Sequence, residues 1–276
     1  MNEHAIEPTE FWSQVLAFAR TTTDRIGTQL LKDFGHAEAI HKTDGTLITQ
    51  SDKWADEEIR RAIAQEFPDH GVLTEETEHI FPDTDWCWIV DPIDGTTNFT
   101  RGIPLWGISL GLLYKGTPVF GYVALPPVNQ AFYGYWPGDL GLKMPEGAFK
   151  DCQPIRAIEA EPSSSRLFSL CARSLAVLKQ PAPFPCKIRM LGVATYNLLM
   201  TAAGLSLGGI EATPKIWDIA AVWVIVQAAG GLWEPLGGPI FPLTVGTNYG
   251  TTAFPTLVVS HKNLLPVFRP LAQLIL

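Results

Sequence analysis

The sequence has no surplus of basic residues, few cysteines and no long apolar run. Its 276 residues include 20 Lys and Arg against 28 Asp and Glu, which gives a net charge of −8. A nucleic-acid partner held through phosphate contacts is disfavoured, because such binding needs a surplus of Lys and Arg to release counterions. The acidic balance instead suits a soluble surface or a bound metal cation.

The cysteines show neither a disulfide framework nor a metal-site spacing. None of the four lies in a CxxC pair: they are Cys87, Cys152, Cys171 and Cys186. This usage is typical of reduced thiols in a cytoplasmic protein. The first ten residues, MNEHAIEPTE, carry acids where an export signal needs a basic start and an apolar core. Apolar stretches are interrupted within about 20 residues, too soon for a membrane span, so we expect a cytoplasmic protein with no membrane partner.

Hydrophobic periodicity predicts helices alternating with strands. Apolar residues at helical spacing over residues 11–34, followed by Gly35, indicate a long helix with a glycine cap. After a polar turn at residues 42–45, a second helix is expected from Ser51 to Phe67. Residues 107–125 suit a hairpin.

The second half of the chain has the same mixed pattern. Strands are predicted near residues 167–171, 188–191 and 257–260, and helices over residues 194–203 and 218–229. The Gly- and Pro-containing segment 139–162 is the candidate boundary between two tightly packed lobes, because nothing in it resembles a flexible linker. We expect lobes of residues 1–145 and 146–276 in an α/β or α+β fold.

The stretch WCWIVDPIDGTTNF, residues 86–99, is an apolar run that ends in two aspartates. A plain turn is one interpretation, because Pro and Gly punctuate chains and Asp tolerates turn geometry. A metal site is the other. Pro92 stiffens the backbone, so the carboxylates of Asp91 and Asp94 can face one point, and such close like charges are costly unless a cation neutralises them. Mg²⁺ takes oxygen ligands of this type, and the Ile93 carbonyl is a further candidate.

Gly95 and Thr96 open a predicted short helix directly after these acids. Amides at a helix N-terminus favour phosphate through hydrogen bonds and through the helix dipole. A cation and a phosphate would therefore meet at one place, which fits metal-assisted phosphoryl transfer to water. Thr96 is placed to orient that water.

The complete string DPIDGTTNF resembles the signature of the inositol monophosphatase family, and three further segments agree in order and approximate spacing. Asp52 in TQSD is similar to an acidic position before the family's second helix, and Glu75 and Glu76 in TEE are similar to its paired glutamates. IWDIAAVWVIVQAAGG, residues 216–231, resembles its second signature, WDxAA running into a helix that ends in Gly-Gly. The resemblance covers most of the chain and implies a two-lobed, layered α-β-α-β-α sandwich.

The resemblance also implies a set of metal ligands. Glu75, Asp91 and the carbonyl of Ile93 would bind one Mg²⁺, and Asp91, Asp94 and Asp218 would bind a second, with Asp91 bridging the two ions. A weaker third ion near Glu75 is typical of relatives. We therefore expect two to three Mg²⁺ per site.

Catalytic and substrate-binding residues follow from the same resemblance. The expected catalytic residues are Thr96, Glu75 and Asp52, with Thr96 supported by Asp52 in activating the attacking water. The amides of Gly95 and Thr96 would hold the phosphate, and Glu211 would contact a substrate hydroxyl. The remaining expected lining residues of the substrate pocket are Gly192, Val193, Ala194 and Asp218.

Each of these residues has a structural alternative that the sequence leaves open. Asp52 and Asp218 would serve equally as helix-start acids, and Glu75 lies in a charge run typical of a solvated loop. Glu211 would suit a strand-end surface acid, and Gly192 to Ala194 a simple turn between a strand and a helix.

Three departures from the family pattern bear on these expectations. Thr74 replaces a common glycine before the paired glutamates, which should leave the metal site intact. Lys215 stands where relatives often carry histidine, which puts the substrate pocket in doubt. GDLGLKMPEGAF, residues 138–149, is longer than the compact turn expected there.

The leading hypothesis is a Mg²⁺-dependent, lithium-sensitive phosphomonoesterase that acts on a small phosphorylated polyol or sugar, with inositol 1-phosphate as first candidate. Relatives acting on adenosine 3',5'-bisphosphate or histidinol phosphate usually carry lysine at the position of Thr97, so those substrates rank lower, and fructose 1,6-bisphosphate remains an alternative. The rival is a non-catalytic metal-binding interaction module. Relatives are commonly homodimers, so we expect a homodimer.

Overall fold

The computed structural model describes residues 8–41, 47–179 and 183–276. The expectations for the first seven residues and for the turn at residues 42–45 lie outside this part of the chain. The helices are α1 Pro8–Asp33, α2 Gln50–Glu66, α3 Thr96–Thr100, α4 Ala194–Ala202, α5 Ile216–Ala228 and α6 Leu265–Ala272. The first seven strands are β1 Ala39–His41, β2 Leu47–Thr49, β3 Gly71–Thr74, β4 Trp86–Asp94, β5 Gly107–Tyr114, β6 Thr117–Leu125 and β7 Gln130–Tyr135. The others are β8 Gly147–Lys150, β9 Gln153–Ile155, β10 Leu167–Leu170, β11 Lys187–Arg189, β12 Gly208–Glu211, β13 Leu232–Pro235 and β14 Thr256–Val259.

Two sheets organise the molecule. In the seven-stranded sheet the strands lie in the order β3-β4-β5-β6-β7-β8-β9, with β3 and β4 parallel and all later neighbours antiparallel. In the five-stranded sheet the order is β11-β10-β12-β14-β13, where β10 runs parallel to β11 and β12 and the other pairs are antiparallel. β1 and β2 form a separate antiparallel pair.

The helices and sheets stack as α-β-α-β-α, as expected. α1 and α2 cover one face of the seven-stranded sheet, α4 and α5 lie between the two sheets, and α6 covers the outer face of the five-stranded sheet. Strand alternation explains how each sheet serves two layers. On β14, Val258 packs towards α4 and α5, whereas Leu257 and Val259 pack towards α6.

A row of glycines lets α5 lie close against the seven-stranded sheet. Gly111, Gly121 and Gly134 are cross-strand neighbours on β5, β6 and β7. A Cβ atom at Gly121 would lie 2.1 Å from the carbonyl oxygen of Ala221 in α5. α5 is apolar on all sides because both of its faces are buried between the sheets. Its position, and therefore that of Asp218 in its first turn, depends on this close packing.

The seven-stranded sheet continues beyond the expected lobe boundary. β8 and β9 lie inside the segment 139–162 and extend this sheet to Ile155. Leu140, Leu142 and Met144 pack on the core beside α1, and the Trp12 indole nitrogen donates a hydrogen bond to the carbonyl of Lys143 at 3.2 Å. The irregular stretch before β8 is therefore packed against the core rather than exposed as a linker. A division into lobes at residue 145 stays a prediction.

Candidate metal and phosphate site

A cavity of about 600 Å³ opens beyond the end of β4, between the two sheets. Its wall is formed by the loop after β3, the end of β4, α3, the start of α4, the end of β12 and the start of α5. Except for Asp52, all of the residues expected in the site line it: Glu75, Asp91, Ile93, Asp94, Gly95, Thr96, Gly192, Val193, Ala194, Glu211 and Asp218. Residues distant in sequence thus meet at one place.

Three aspartates form the centre of this site. One carboxylate oxygen from each of Asp91, Asp94 and Asp218 lies within 4.8 Å of the others. Asp91 is 1% exposed and Asp94 is 6% exposed. Burial raises the pKa of Asp91 well above its usual range, and the charges of Glu75, Asp94 and Asp218 raise it further. Burial and the charge of Asp94 likewise raise the pKa of Asp218. A cluster of this kind suits a divalent cation, which would favour the ionised forms.

Asp94 also fixes the start of α4. Its carboxylate accepts hydrogen bonds from the backbone amides of Ala194 at 3.1 Å and Thr195 at 2.7 Å, and from the Thr195 hydroxyl. These bonds partly offset the rise that burial causes in the pKa of Asp94. The aspartate therefore joins the end of β4 to a helix about 100 residues later in the chain.

Glu75 lies at the edge of the aspartate cluster. Its carboxyl helps to raise the pKa of Asp91, and its side chain is half-buried. The preceding Thr74 is fully buried, and its hydroxyl accepts from the amides of Thr77 at 3.2 Å and Glu78 at 3.4 Å. Thr74 therefore organises the loop that follows Glu75. Threonine in place of the family's common glycine at this position is therefore compatible with a carboxyl at the cluster, which is what the sequence predicted.

Asp52 lies behind the cavity wall, where it both caps a helix and contacts the site. It is fully buried, and one oxygen accepts from the amide of Thr49 at 2.8 Å, completing a capping box at the start of α2. Its other oxygen accepts from the Thr96 hydroxyl at 3.2 Å. That hydroxyl is also 3.2 Å from the carbonyl of Ile93. The capping alternative and the Thr96 contact are therefore both realised.

Gly95 allows α3 to pack against the loop before α4. It adopts a left-handed conformation with φ of 93°, and a Cβ atom there would lie 2.9 Å from a methyl of Val193. Asn98 holds the same two segments together by donating to the carbonyls of Leu105 at 2.9 Å and Leu191 at 2.8 Å. This packing brings the start of α3 and the Gly192–Ala194 stretch to one wall of the cavity.

Glu211 is a buried acid at the far side of the cavity. It is 4% exposed, and Asn197 donates to it at 2.7 Å. Burial raises the pKa of Glu211 to about 8, and the charge of Asp94 contributes to the rise. Glu211 is therefore not the surface acid that the sequence left open. The same wall carries two cations: Arg173 donates to the Thr213 hydroxyl at 2.9 Å, and the Lys215 ammonium donates to the carbonyl of Thr251 at 2.8 Å.

Several residues in and around the site were not found from the sequence. Thr195 and Asn197 hold Asp94 and Glu211 through contacts that only the folded chain creates. Arg173 follows β10 and had no motif around it. His79 contacts the Glu75 backbone, and its only sequence signal was its place four residues after Glu75.

Comparisons with known proteins agree with this architecture. The model of the inositol monophosphatase family matches residues 12–263. A protein of Aquifex aeolicus described as fructose-1,6-bisphosphatase/inositol-1-monophosphatase is 31% identical over 77% of this chain and 83% of its own length. The Nus factor SuhB of Pasteurella multocida is 32% identical over 83% of this chain and 85% of its own length. A solved IMPase of Thermotoga maritima superposes with a TM-score of 0.76 at 26% identity, covering 94% of this chain and 96% of that one.

The chain therefore belongs to the inositol monophosphatase family, and it is a phosphatase of that family. The acidic cluster fits the metal dependence that is general in the family. Within the part of the chain that the structure describes, no helix has the length and hydropathy needed to cross a membrane.

Proposed function

We propose that this protein is a Mg²⁺-dependent phosphomonoesterase that hydrolyses a small polyol or sugar phosphate, with inositol 1-phosphate as the first candidate substrate. The observation that carries the proposal is the convergence of three carboxylates within 4.8 Å beside the Thr96–Asp52 pair. A buried group of like charges is stable in its ionised form only with a counter-cation, and a phosphate ester brought to that cation would lie next to Thr96.

The oxygen-rich ligand set supports Mg²⁺. Glu75, Asp91 and the Ile93 carbonyl would hold one ion, Asp91, Asp94 and Asp218 a second, and a third would bind more weakly near Glu75. All of these donors are oxygens, which hard divalent ions prefer. When bound, the ions would neutralise phosphate oxygens and lower the pKa of water.

Thr96 and Asp52 would orient the attacking water. The Thr96 hydroxyl donates to Asp52 at 3.2 Å, which leaves its oxygen able to accept from a water that enters the cavity. As an acceptor, Thr96 would draw a proton of that water away from the bond-forming lone pair. Asp52 is fully buried and fixed by Thr49, so it offers the hydroxyl an acceptor in a fixed position. The amides of Gly95 and Thr96 would hold the phosphate from the start of α3.

The polyol part of the substrate would lie towards Glu211. A hydroxyl can donate to a carboxyl oxygen of Glu211, while Gly192, Val193 and Ala194 would line the same pocket. Asp218 would face both the ion and the substrate. Thr97 supports a polyol or sugar phosphate over substrates of the histidinol phosphate type.

Fructose 1,6-bisphosphate is the second candidate, because Arg173 and Lys215 place positive charge on the cavity wall. Arg173 is exposed and could meet a second phosphate. The Aquifex relative is described by both activities, and a Chlorobaculum parvum relative at 28% identity is described as a histidinol-phosphatase. Comparative kcat/KM values over the three substrates would rank them.

Phosphate release from this panel tests the proposal. Wild type should need Mg²⁺, and Asp94→Asn should lose at least about 100-fold in kcat/KM, since one metal ligand is removed. Asp83→Asn, at an exposed acid outside the cavity, is the matched control. Metal-independent release, or none on any substrate, would contradict the proposal and favour a non-catalytic binding module. The same assay tests lithium inhibition.

A cytoplasmic homodimer completes the proposal by analogy with relatives. Sedimentation at micromolar concentration should give twice the mass of one chain, and a monomer would contradict it.

A further inference from the structure

His79 contacts the two segments that carry Glu75 and Asp218. Its Nε2 atom lies 2.8 Å from the carbonyl oxygen of Glu75. A carbonyl only accepts, so Nε2 carries the proton and donates this bond. The imidazole also stacks on the indole of Trp217, with ring centroids 5.6 Å apart and planes 30° apart. Trp217 immediately precedes Asp218, so one half-buried side chain touches the neighbours of two proposed metal ligands.

The backbone around His79 is hydrogen-bonded to a later segment, residues 247–251. The amide of Tyr249 donates to the carbonyl of His79 at 2.8 Å, and the amide of Phe81 donates to the carbonyl of Thr247 at 3.0 Å. Ile80 and Asn248 form an isolated antiparallel bridge. At the other end of the segment, the carbonyl of Thr251 accepts from Lys215, just before α5. Segment 247–251 thus braces both the Glu75 loop and the start of α5.

We propose that His79 is a positioning residue that sets the separation between Glu75 and Asp218 and so tunes divalent-cation affinity. It touches neither substrate nor the reacting atoms. Its hydrogen bond fixes the Glu75 backbone, and its stack on Trp217 fixes that backbone relative to α5. Without the bond, the Glu75 loop would have to be ordered when the cation binds, and that cost would weaken binding. This inference rests on the proposed metal site.

Two substitutions separate the hydrogen bond from simple packing. His79→Phe keeps an aromatic ring to stack on Trp217 but removes the donor. His79→Gln keeps an amide donor but removes the ring. A packing role alone predicts that His79→Phe binds the cation as wild type does. The positioning role uses both contacts and predicts that His79→Phe and His79→Gln each weaken cation binding.

Gly250 gives an independent way to disturb the same side chain. A Cβ atom at Gly250 would lie 2.9 Å from Nδ1 and 3.0 Å from Cγ of His79. Gly250→Ala should therefore push the ring away from the Glu75 carbonyl without changing a polar group. Gly237→Ala is the matched control, because its nearest neighbours would lie 3.8 Å and 3.9 Å away.

Direct binding of Mn²⁺ to the substrate-free protein, measured by calorimetry, is the test. His79→Phe should raise the Mn²⁺ dissociation constant by about 3- to 10-fold, which is the change expected when one hydrogen bond is lost. Gly250→Ala should raise it in the same direction, and Gly237→Ala should match wild type. Hydrogen exchange of the amides at residues 75–79 should be faster in His79→Phe, while thermal unfolding of the metal-free protein should show it folded.

The outcomes distinguish this inference from the proposed function. If wild type binds no Mn²⁺, the metal site and this inference both fail. If wild type binds Mn²⁺ but His79→Phe stays within about twofold of it, the positioning role is wrong and the metal site stands. Weakening by Gln together with unchanged binding by Phe would likewise overturn the positioning role, since it would show that the ring rather than its donor matters.

Discussion

Replacing Gly121 by alanine should destabilise the protein strongly, because the new methyl group has no space. Its Cβ would lie 2.1 Å from the carbonyl oxygen, 2.7 Å from the carbonyl carbon and 2.8 Å from the Cα of Ala221. All three atoms belong to the backbone of α5, which is buried between two sheets and cannot yield as a flexible side chain would.

Overpacking of a core costs typically about 1–3 kcal/mol, and a clash with rigid backbone falls at or above the upper end. We therefore expect the free energy of unfolding to fall by about 3 kcal/mol. At about 2–4 °C of Tm per kcal/mol in chains of this size, the midpoint should fall by roughly 6–12 °C. Relief of the clash requires α5 to move, and Asp218 would move with it, so cation affinity should also fall.

Chemical and thermal unfolding followed by circular dichroism measure the stability change. The neighbouring positions provide an internal scale, since a Cβ at Gly111 would come within 3.0 Å of the Ala221 amide nitrogen, and one at Gly134 within 3.1 Å of the Ile225 Cα. Alanine at Gly111 or Gly134 should therefore cost less than at Gly121, and Gly237→Ala should cost least. A Gly121→Ala variant as stable as wild type would refute the argument that the glycine row sets the position of α5.

Three further predictions concern the site and its surroundings. Thr96→Ala should lower kcat by about 10²- to 10⁴-fold with a smaller change in KM, whereas Thr96→Ser should retain most of the rate. Equal kcat values for wild type and the alanine variant would argue against a role of Thr96 in orienting water. Asp91→Asn should make the metal-free protein more stable than wild type at pH 8, because it removes a buried charge from an acidic cluster. Since the pKa of Asp91 is raised, this difference in stability should vanish as the pH falls towards 4. Unfolding curves measured across this pH range test both statements. His70 is stacked between Phe67 and Trp86, and burial lowers its pKa from 6.5 to about 4, so the unfolded chain takes up a proton first and stability should decline as the pH falls from about 6.5 to 4. At about 1.4 kcal/mol per pKa unit, discounted for the exposed part of the ring, the decline is about 1–2 kcal/mol, and His70→Gln should flatten it; an unchanged slope would contradict this assignment.

The layered fold was largely predictable because its long elements carry strong patterns. The helical spacing over residues 11–34 became α1, and the run from Trp86 became β4. β4 continues through Pro92 to Asp94, beyond the run itself, and its ladder to β5 shifts register between Asp91 and Asp94. Proline usually ends a strand because it has no amide hydrogen to donate to the neighbouring strand. At this irregularity the position of Pro92 needs no such donor.

Short strands were missed where their local sequence argued against them. β12 begins with two glycines and β13 ends in a proline, residues that are depleted in strands. Both strands exist because they pair with β14 and are covered by helices, a tertiary effect that a local pattern does not carry. The same reason hid Thr195, whose contact with Asp94 spans 101 residues.

The expected site residues lie together because each motif is at the end of a strand or the start of a helix. These ends meet at one edge of the sheets. The resemblance supplied the roles of Glu211 and Asp52, which periodicity alone left open. The burial of Glu211, and the fact that Asp52 fills both of its expected roles at once, emerged only from the three-dimensional arrangement.

The most direct test of the central claim is anomalous diffraction from a crystal soaked in Mn²⁺ and inorganic phosphate. The account predicts one anomalous peak within bonding distance of Asp91, Asp94 and Asp218, a second beside Glu75 and the Ile93 carbonyl, and phosphate density against the amides of Gly95 and Thr96. Well-diffracting crystals of active protein with no anomalous peak among these carboxylates would contradict it.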